Sequence, residues 1–278
     1  MIANPPKKLS NLGLRFISSL FFIAMALYCI YTGSWAYIAM ITVFAMLCIR
    51  ELCRLFKLKG YAPATMLVTA SVLCIDLMGG IAGPTYLAPV LAISSICIFF
   101  YLLLRPRPRA GIADVATSWF GVVYIGFLPC FLILCRNFPE PYGFQFAVVL
   151  NTCIWATDTF AYFGGRFLGR TKLLEAVSPK KTIEGSLTGT LGATLVGACW
   201  GLAFHFPWYH GLALGFLVSL TAQIGDLGES LIKRDAGAKD SGSVIPGHGG
   251  ILDRMDSYLL TGVVVYYYLR WFYHPWLP

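Results

Sequence analysis

Asp226 and Glu229 stand three residues apart at the end of one apolar run, and Asp253 and Asp256 stand three apart at the start of the next. On a helix that spacing places both members of a pair on one face, and Ser230 and Lys233 continue the first face. Carboxylates at a membrane edge are costly unless they are paired, hydrated or bound to a cation. The dipole of a helix N-terminus favours the second pair. Oxygen donors of this kind suit Mg²⁺, which takes one or two carboxylates and fills its other positions with water and substrate phosphate. The plainer alternatives are helix capping by Asp253 and Asp256 and a lysine partner for Asp226.

The stretch joining the pairs, residues 230–257, reads SLIKRDAGAKDSGSVIPGHGGILDRMDS. Lys233, Arg234, Lys239 and Arg254 supply cations for a polyphosphate. Gly249 and Gly250 of PGHGG permit close backbone approach, and N–H groups ahead of a helix start can bind phosphate oxygens. His248 contacts phosphate, ligates a cation or caps the loop, and its position in the sequence leaves the three open. A second loop, residues 165–184, is also rich in charge and contains Ser178, Lys180, Lys181 and Glu184 within SPKKTIEG. Asp158, in NTCIWATDTFAYFGGR, is an acid inside an apolar run and therefore a functional candidate. Asp76 falls toward the opposite face, where a structural or surface role is expected. His205, His210 and His274 are expected at the outer interface.

The elements that hold these residues are membrane helices. The chain of 278 residues is 58% hydrophobic and only 12% charged, against about 25% charged in a typical soluble domain. Continuous apolar runs cover roughly residues 14–32, 35–49, 64–80, 85–104, 113–134, 146–164, 185–205, 210–229 and 253–272, the length a spanning helix needs. They lack the alternation of barrel strands. The first run continues into further apolar sequence without a cleavage site, so it reads as a span rather than a signal peptide. With the N-terminus cytoplasmic and the C-terminus outside, 19 of the 21 Lys and Arg fall on the cytoplasmic side, the exceptions being Arg136 and Arg270. Both charged loops then face the cytoplasm. The nine cysteines are scattered singly, which indicates neither a disulfide framework nor a zinc site. The net charge of +8 lies in short connections and points to lipid head groups rather than nucleic acid. The expectation is an all-α polytopic integral membrane protein of about nine transmembrane helices, residues 1–278 forming a single domain.

Ser230, Lys233-Arg234, Lys239-Asp240, Pro246, His248-Gly249-Gly250, Asp253-Arg254 and Asp256 together resemble the C-terminal signature of the phosphatidate cytidylyltransferase (CDP-diacylglycerol synthase) family. SPKKTIEG and DTFAYFGGRFLGR are similar to two further family segments, with Ile183 in place of Trp and with Phe160 and Arg170 where small residues or Lys are common. The resemblance covers about residues 150–257, the expected catalytic half. It implies transfer of a cytidylyl group from CTP to phosphatidate, giving CDP-diacylglycerol and pyrophosphate for phospholipid synthesis. It also implies Mg²⁺ held by Asp226 and Asp253, K⁺ as a second ion, and a homodimer. Lys233, Arg234, Lys239, Asp240, His248, Arg254 and Asp256 form the expected catalytic set. Ser178, Lys180, Lys181, Glu184, Ser230, Gly249, Gly250 and Asp158 form the expected substrate-binding set. The expected location is a bacterial inner membrane with the site facing the cytoplasm. Two other readings are a CTP-dependent enzyme acting on another lipid phosphate and a secondary transporter; carriers, however, bind near the midplane.

Overall fold

The computed structural model describes residues 11–105, 111–242 and 249–273. Helix α1 spans Asn11–Thr32 and α2 spans Ser34–Leu58. Helices α3 (Thr65–Ala82) and α4 (Leu87–Leu104) form a pair joined by a 3-10 turn over Gly83–Tyr86. Helices α5 (Ile112–Gly121) and α6 (Leu128–Arg136) form one rod through a π-helical turn at Val122–Phe127. Pro129 lies just beyond that turn and has no N–H to give the carbonyl four residues back, which favours the local change of pitch. Then come α7 (Tyr142–Phe167), α8 (Ile183–Ala203), α9 (Trp208–Asp235), α10 (Leu252–Leu259) and α11 (Thr261–Tyr268). Each expected apolar run is helical among the described residues. Six segments are long and apolar enough to cross a bilayer, the α3–α4 pair counting as one continuous 40-residue stretch. The protein is a helical membrane protein.

One element departs from the all-helical expectation. Between α7 and α8 the chain forms an antiparallel hairpin, β1 (Lys172–Leu174) and β2 (Ser178–Thr182), with Lys172 opposite Thr182 and Leu174 opposite Ser178. Thr182 then caps α8 by accepting from the Gly185 N–H at 3.2 Å. Helices α7, α8 and α9 pack as a close triple, with small residues at the contacts. A Cβ on Gly197 would lie 2.2 Å from the Gly211 carbonyl, and one on Gly211 equally close to Gly197. Backbones this near each other are how helices associate in lipid, where apolar burial gives little advantage.

Of the structural or surface role expected for Asp76, the surface alternative falls, because the residue is wholly buried. Neither of its carboxylate oxygens has a hydrogen-bond partner among the described residues. His210 is buried too, its Nδ1 lying 2.8 Å from the Tyr268 hydroxyl, whereas His205 is exposed. His274 lies outside the described residues.

Candidate active site

The two expected carboxylate pairs meet because α9 and α10 touch. A Cβ at Gly225 would sit 2.2 Å from the Asp256 carbonyl oxygen, so the glycine lets the middle of α10 press against α9. Asp253 lies in the first turn of α10, where the helix dipole favours a negative charge.

Lys233 on α9 is the centre of the first cluster. Its Nζ lies 2.6 Å from Asp253 Oδ1 and also pairs with Glu229, one turn earlier on its own helix. Glu229 has no exposed surface, so Lys233 is the cation beside a fully buried acid. The other Asp253 oxygen accepts from the Gly250 N–H at 2.8 Å, the Ser241 N–H at 3.1 Å and the Ser241 hydroxyl at 3.0 Å. Gly249 has φ of +87°, a left-handed conformation that suits glycine, and it turns the chain into this contact.

A further acid closes the cluster from the other half of the chain. Glu51 on α2 is 5% exposed and receives the N–H groups of Ile251 at 3.1 Å and Leu252 at 2.9 Å, together with the Ser241 hydroxyl at 2.8 Å. Ser241 has one hydroxyl hydrogen, so Glu51 and Asp253 share it. A Cβ on Gly250 would lie 2.0 Å from Ser241 Oγ and 2.3 Å from Glu51 Oε2. Glycine is required there by protein side chains, whatever else approaches the backbone. Sequence reading missed Glu51 because it sits among Arg50, Arg54 and Lys57, which read as a topology signal. The available hint was a lone acid followed by the apolar Leu52 and Cys53.

The second cluster surrounds Asp226. Lys181 of β2 pairs with Asp226, and Asp226 is in electrostatic reach of Asp158 on α7 and Asp256 on α10. Lys181 and Arg254 are the cations facing Asp158. Asp256 is largely buried and accepts from its neighbour's N–H, Ser257, at 2.6 Å. Strand geometry divides the two lysines. Adjacent side chains on a strand point to opposite faces, so Lys181 reaches inward while Lys180 is exposed. The pairing expected from sequence, Asp226 with Asp253, thus becomes two neighbouring clusters, with Asp256 in reach of both Asp226 and Lys233.

Other expected residues serve the loops. Both oxygens of Glu184 accept backbone N–H groups, from Arg170 at 3.0 Å and Thr171 at 3.1 Å, which fixes the entry to the hairpin. Arg234 reaches the Val177 carbonyl at 3.4 Å and ties α9 to the same hairpin. Ser178 and Ser230 are half-buried, and Lys239 and Asp240 are exposed. His248 and Pro246 lie outside the described residues.

Among the described residues, no three His, Cys, Asp or Glu side chains converge as a ready-made metal cage. The donor set still fits a hard divalent cation carried in with phosphate. Asp226 and Asp253 each face an ammonium group, the position a metal ion would compete for, and Mg²⁺ commonly takes only one or two protein carboxylates.

Residues 13–272 match the sequence profile of the cytidylyltransferase family. The chain belongs to the cytidylyltransferase family. It is 38% identical to a phosphatidate cytidylyltransferase of Synechocystis sp., over 92% of this chain and 95% of that protein. It is 33% identical to the chloroplastic phosphatidate cytidylyltransferase 5 of Arabidopsis thaliana, over 86% of this chain and 67% of the plant protein. A phosphatidate cytidylyltransferase of Brucella suis is 42% identical over 57% of this chain and 58% of its own length. The family match takes in α2 and Glu51 as well as the two charged loops.

Proposed function

We propose that this cytidylyltransferase-family protein transfers the cytidylyl group of CTP to phosphatidate, releasing pyrophosphate and forming CDP-diacylglycerol. The observation that carries the reading is end-to-end similarity to phosphatidate cytidylyltransferases, combined with two charged clusters gathered at one end of an apolar bundle. Nine crossings with a cytoplasmic N-terminus and an outer C-terminus would put both clusters at the cytoplasmic face of a bacterial inner membrane. There a soluble nucleotide and a lipid phosphate can meet. A homodimer is the expected assembly, on the strength of the family resemblance alone.

The phosphatidate phosphate oxygen is already anionic and needs little help from a general base. The obstacle is repulsion between two polyanions, which cations and alignment overcome. The lipid oxygen forms a bond to the α-phosphorus of CTP while the bond from that phosphorus to the bridging oxygen breaks, and the electron pair leaves with pyrophosphate. Lys233, Arg234 and Lys239 neutralise the leaving group, with Lys181 assisting from the hairpin. Asp226 and Asp253 would hold Mg²⁺, which when bound supplies positive charge to the nucleotide phosphates; K⁺ is the proposed second ion. Glu51 and Ser241 keep Asp253 and the α10 N-terminus in place.

The test is pyrophosphate release by purified protein in detergent micelles, leaving out CTP, phosphatidate or Mg²⁺ in turn. Release that needs all three, with CDP-diacylglycerol appearing in step, is the expected result. CTP turnover that ignores phosphatidate would overturn the assignment of the lipid acceptor.

A further inference from the structure

Beneath the carboxylates lies a cavity of about 340 Å³ enclosed by α1, α2, α7 and α10. Helix α2 lines it with Tyr37, Met40, Ile41 and Phe44, and α7 with Asn151, Ile154, Trp155 and Asp158. Both sets follow the i, i+3, i+4, i+7 spacing of a single helix face. Seven residues of helix rise by roughly 10 Å, so the cavity is a slot along the helix axes rather than a round void.

Its two ends differ. Asp253, Arg254 and Asp256 of α10 line one end. The start of α10 is bonded to Glu51, which follows Phe44 on α2, so the charged end is the Phe44 and Asp158 end. Tyr37 and Asn151 lie at the other. Between them the wall is apolar in effect, because Trp155 gives its indole N–H to the Tyr258 hydroxyl at 2.9 Å. On the α1 side, Ile23 lines the slot and is 40% exposed.

The occupant must be apolar along roughly 10 Å and charged where it meets Asp253 and Arg254. The volume stands near the lower end of the 300–1,000 Å³ usual for small-molecule sites, which suits part of one hydrocarbon chain and not a whole two-chain lipid. The geometry points to this slot as the seat of the head-proximal part of one acyl chain of phosphatidate, its phosphate at the Asp253–Arg254 end. The inference rests on the reaction proposed above. Ala26 on α1, with Met40 and Ile154 facing the same space, sets the bore. The rest of the chain leaves past Ile23 into the bilayer.

Two measurements test this, one of them independent of turnover. Phosphatidate carrying a diazirine in one acyl chain is photolysed with the full-length protein in micelles, and the labelled peptides are mapped by mass spectrometry. Labels on residues 22–44 and 151–158, competed by unlabelled phosphatidate, are expected. Labels confined to other surfaces, or equal labelling of the same residues by diazirine phosphatidylcholine, would overturn the slot. Kinetically, Ala26→Trp narrows the bore from a peripheral helix. It should raise KM for dioleoyl phosphatidate more than tenfold while KM for CTP moves less than twofold. If Ala26→Trp does not fold, Ala26→Leu should give the same split at several-fold size. Folded variants with an unchanged lipid KM would refute the proposal. Wild-type protein that takes the label but does not form CDP-diacylglycerol would count against the proposed reaction while leaving the chain seat supported.

Discussion

The bundle has a cation largely withdrawn from solvent at each end, and the two are held in opposite ways. Arg136, at the C-terminal end of α6, is 5% exposed and gives its Nε–H to the Ile30 carbonyl at 2.8 Å. Its charge is met by Glu140, one turn along and largely exposed. Gly33 presses against its guanidinium so closely that a Cβ there would lie 2.2 Å from Nη2. These partners are backbone or local, and they lock the end of α1 to α6. Lys233, at the other end, pairs among the described residues with two acids, and they come from two helices. A lysine held between carboxylates can yield one of them to a metal ion or turn toward a phosphate. An arginine bonded to carbonyls has no such alternative. Burial alone therefore does not identify a working charge; the kind of partner does. The larger cavity near Arg136, about 720 Å³, is lined by none of the residues of the carboxylate clusters.

Replacing Lys233 should have the largest effect. Lys233→Met leaves Glu229 buried without its cation, a loss of about 3–5 kcal/mol for a broken buried pair. Thermal melts in detergent should show strong destabilisation, and pyrophosphate release should fall to background. Adding Glu229→Gln removes the stranded charge. The double variant should regain most of the melting temperature but not the activity, and recovery of both would mean that Lys233 is structural in the manner of Arg136.

Glu51→Gln comes next. It keeps the side-chain shape but loses the charge that accepts the α10 N–H groups and the Ser241 hydroxyl. A fall in kcat of roughly tenfold, equivalent to about 1.4 kcal/mol, is expected, with a raised Mg²⁺ requirement in a metal titration. Unchanged metal dependence would make Glu51 merely a helix cap.

The lysine pair of the hairpin sharpens the contrast within one strand. Lys181→Ala should raise KM for CTP several-fold, whereas Lys180→Ala should change it by less than half as much. Equal effects would show that the strand does not hold its alternation during turnover. Arg136→Met should disturb catalysis least. It leaves a buried carbonyl unpaired at a cost of about 1–3 kcal/mol, lowering the melting temperature while kcat of the folded protein stays the same.

Composition and apolar run length determined the class of protein, because a chain so poor in charge cannot cover a water-facing surface. Every expected run proved helical among the described residues, and the charged loops were correctly placed between runs. Three-residue spacing placed Asp226 with Glu229, and Asp253 with Asp256, within one turn of each other, since helix period is a local property, but the members of each pair join different clusters. What spacing could not supply was contact between elements distant in sequence. Glu51 reaches Leu252 across 201 positions, and its role depends on α2 packing against α10. The hairpin was read as a charged substrate-binding loop, not as strands, because SPKKT has neither the length nor the alternation of a typical strand. Its pairing with Lys172–Leu174, and with it the separation of Lys180 from Lys181, exists only once the two segments lie side by side. The acyl slot was invisible for the same reason. Its walls are ordinary faces of α1, α2, α7 and α10, and only their packing leaves a space that opens at the carboxylates.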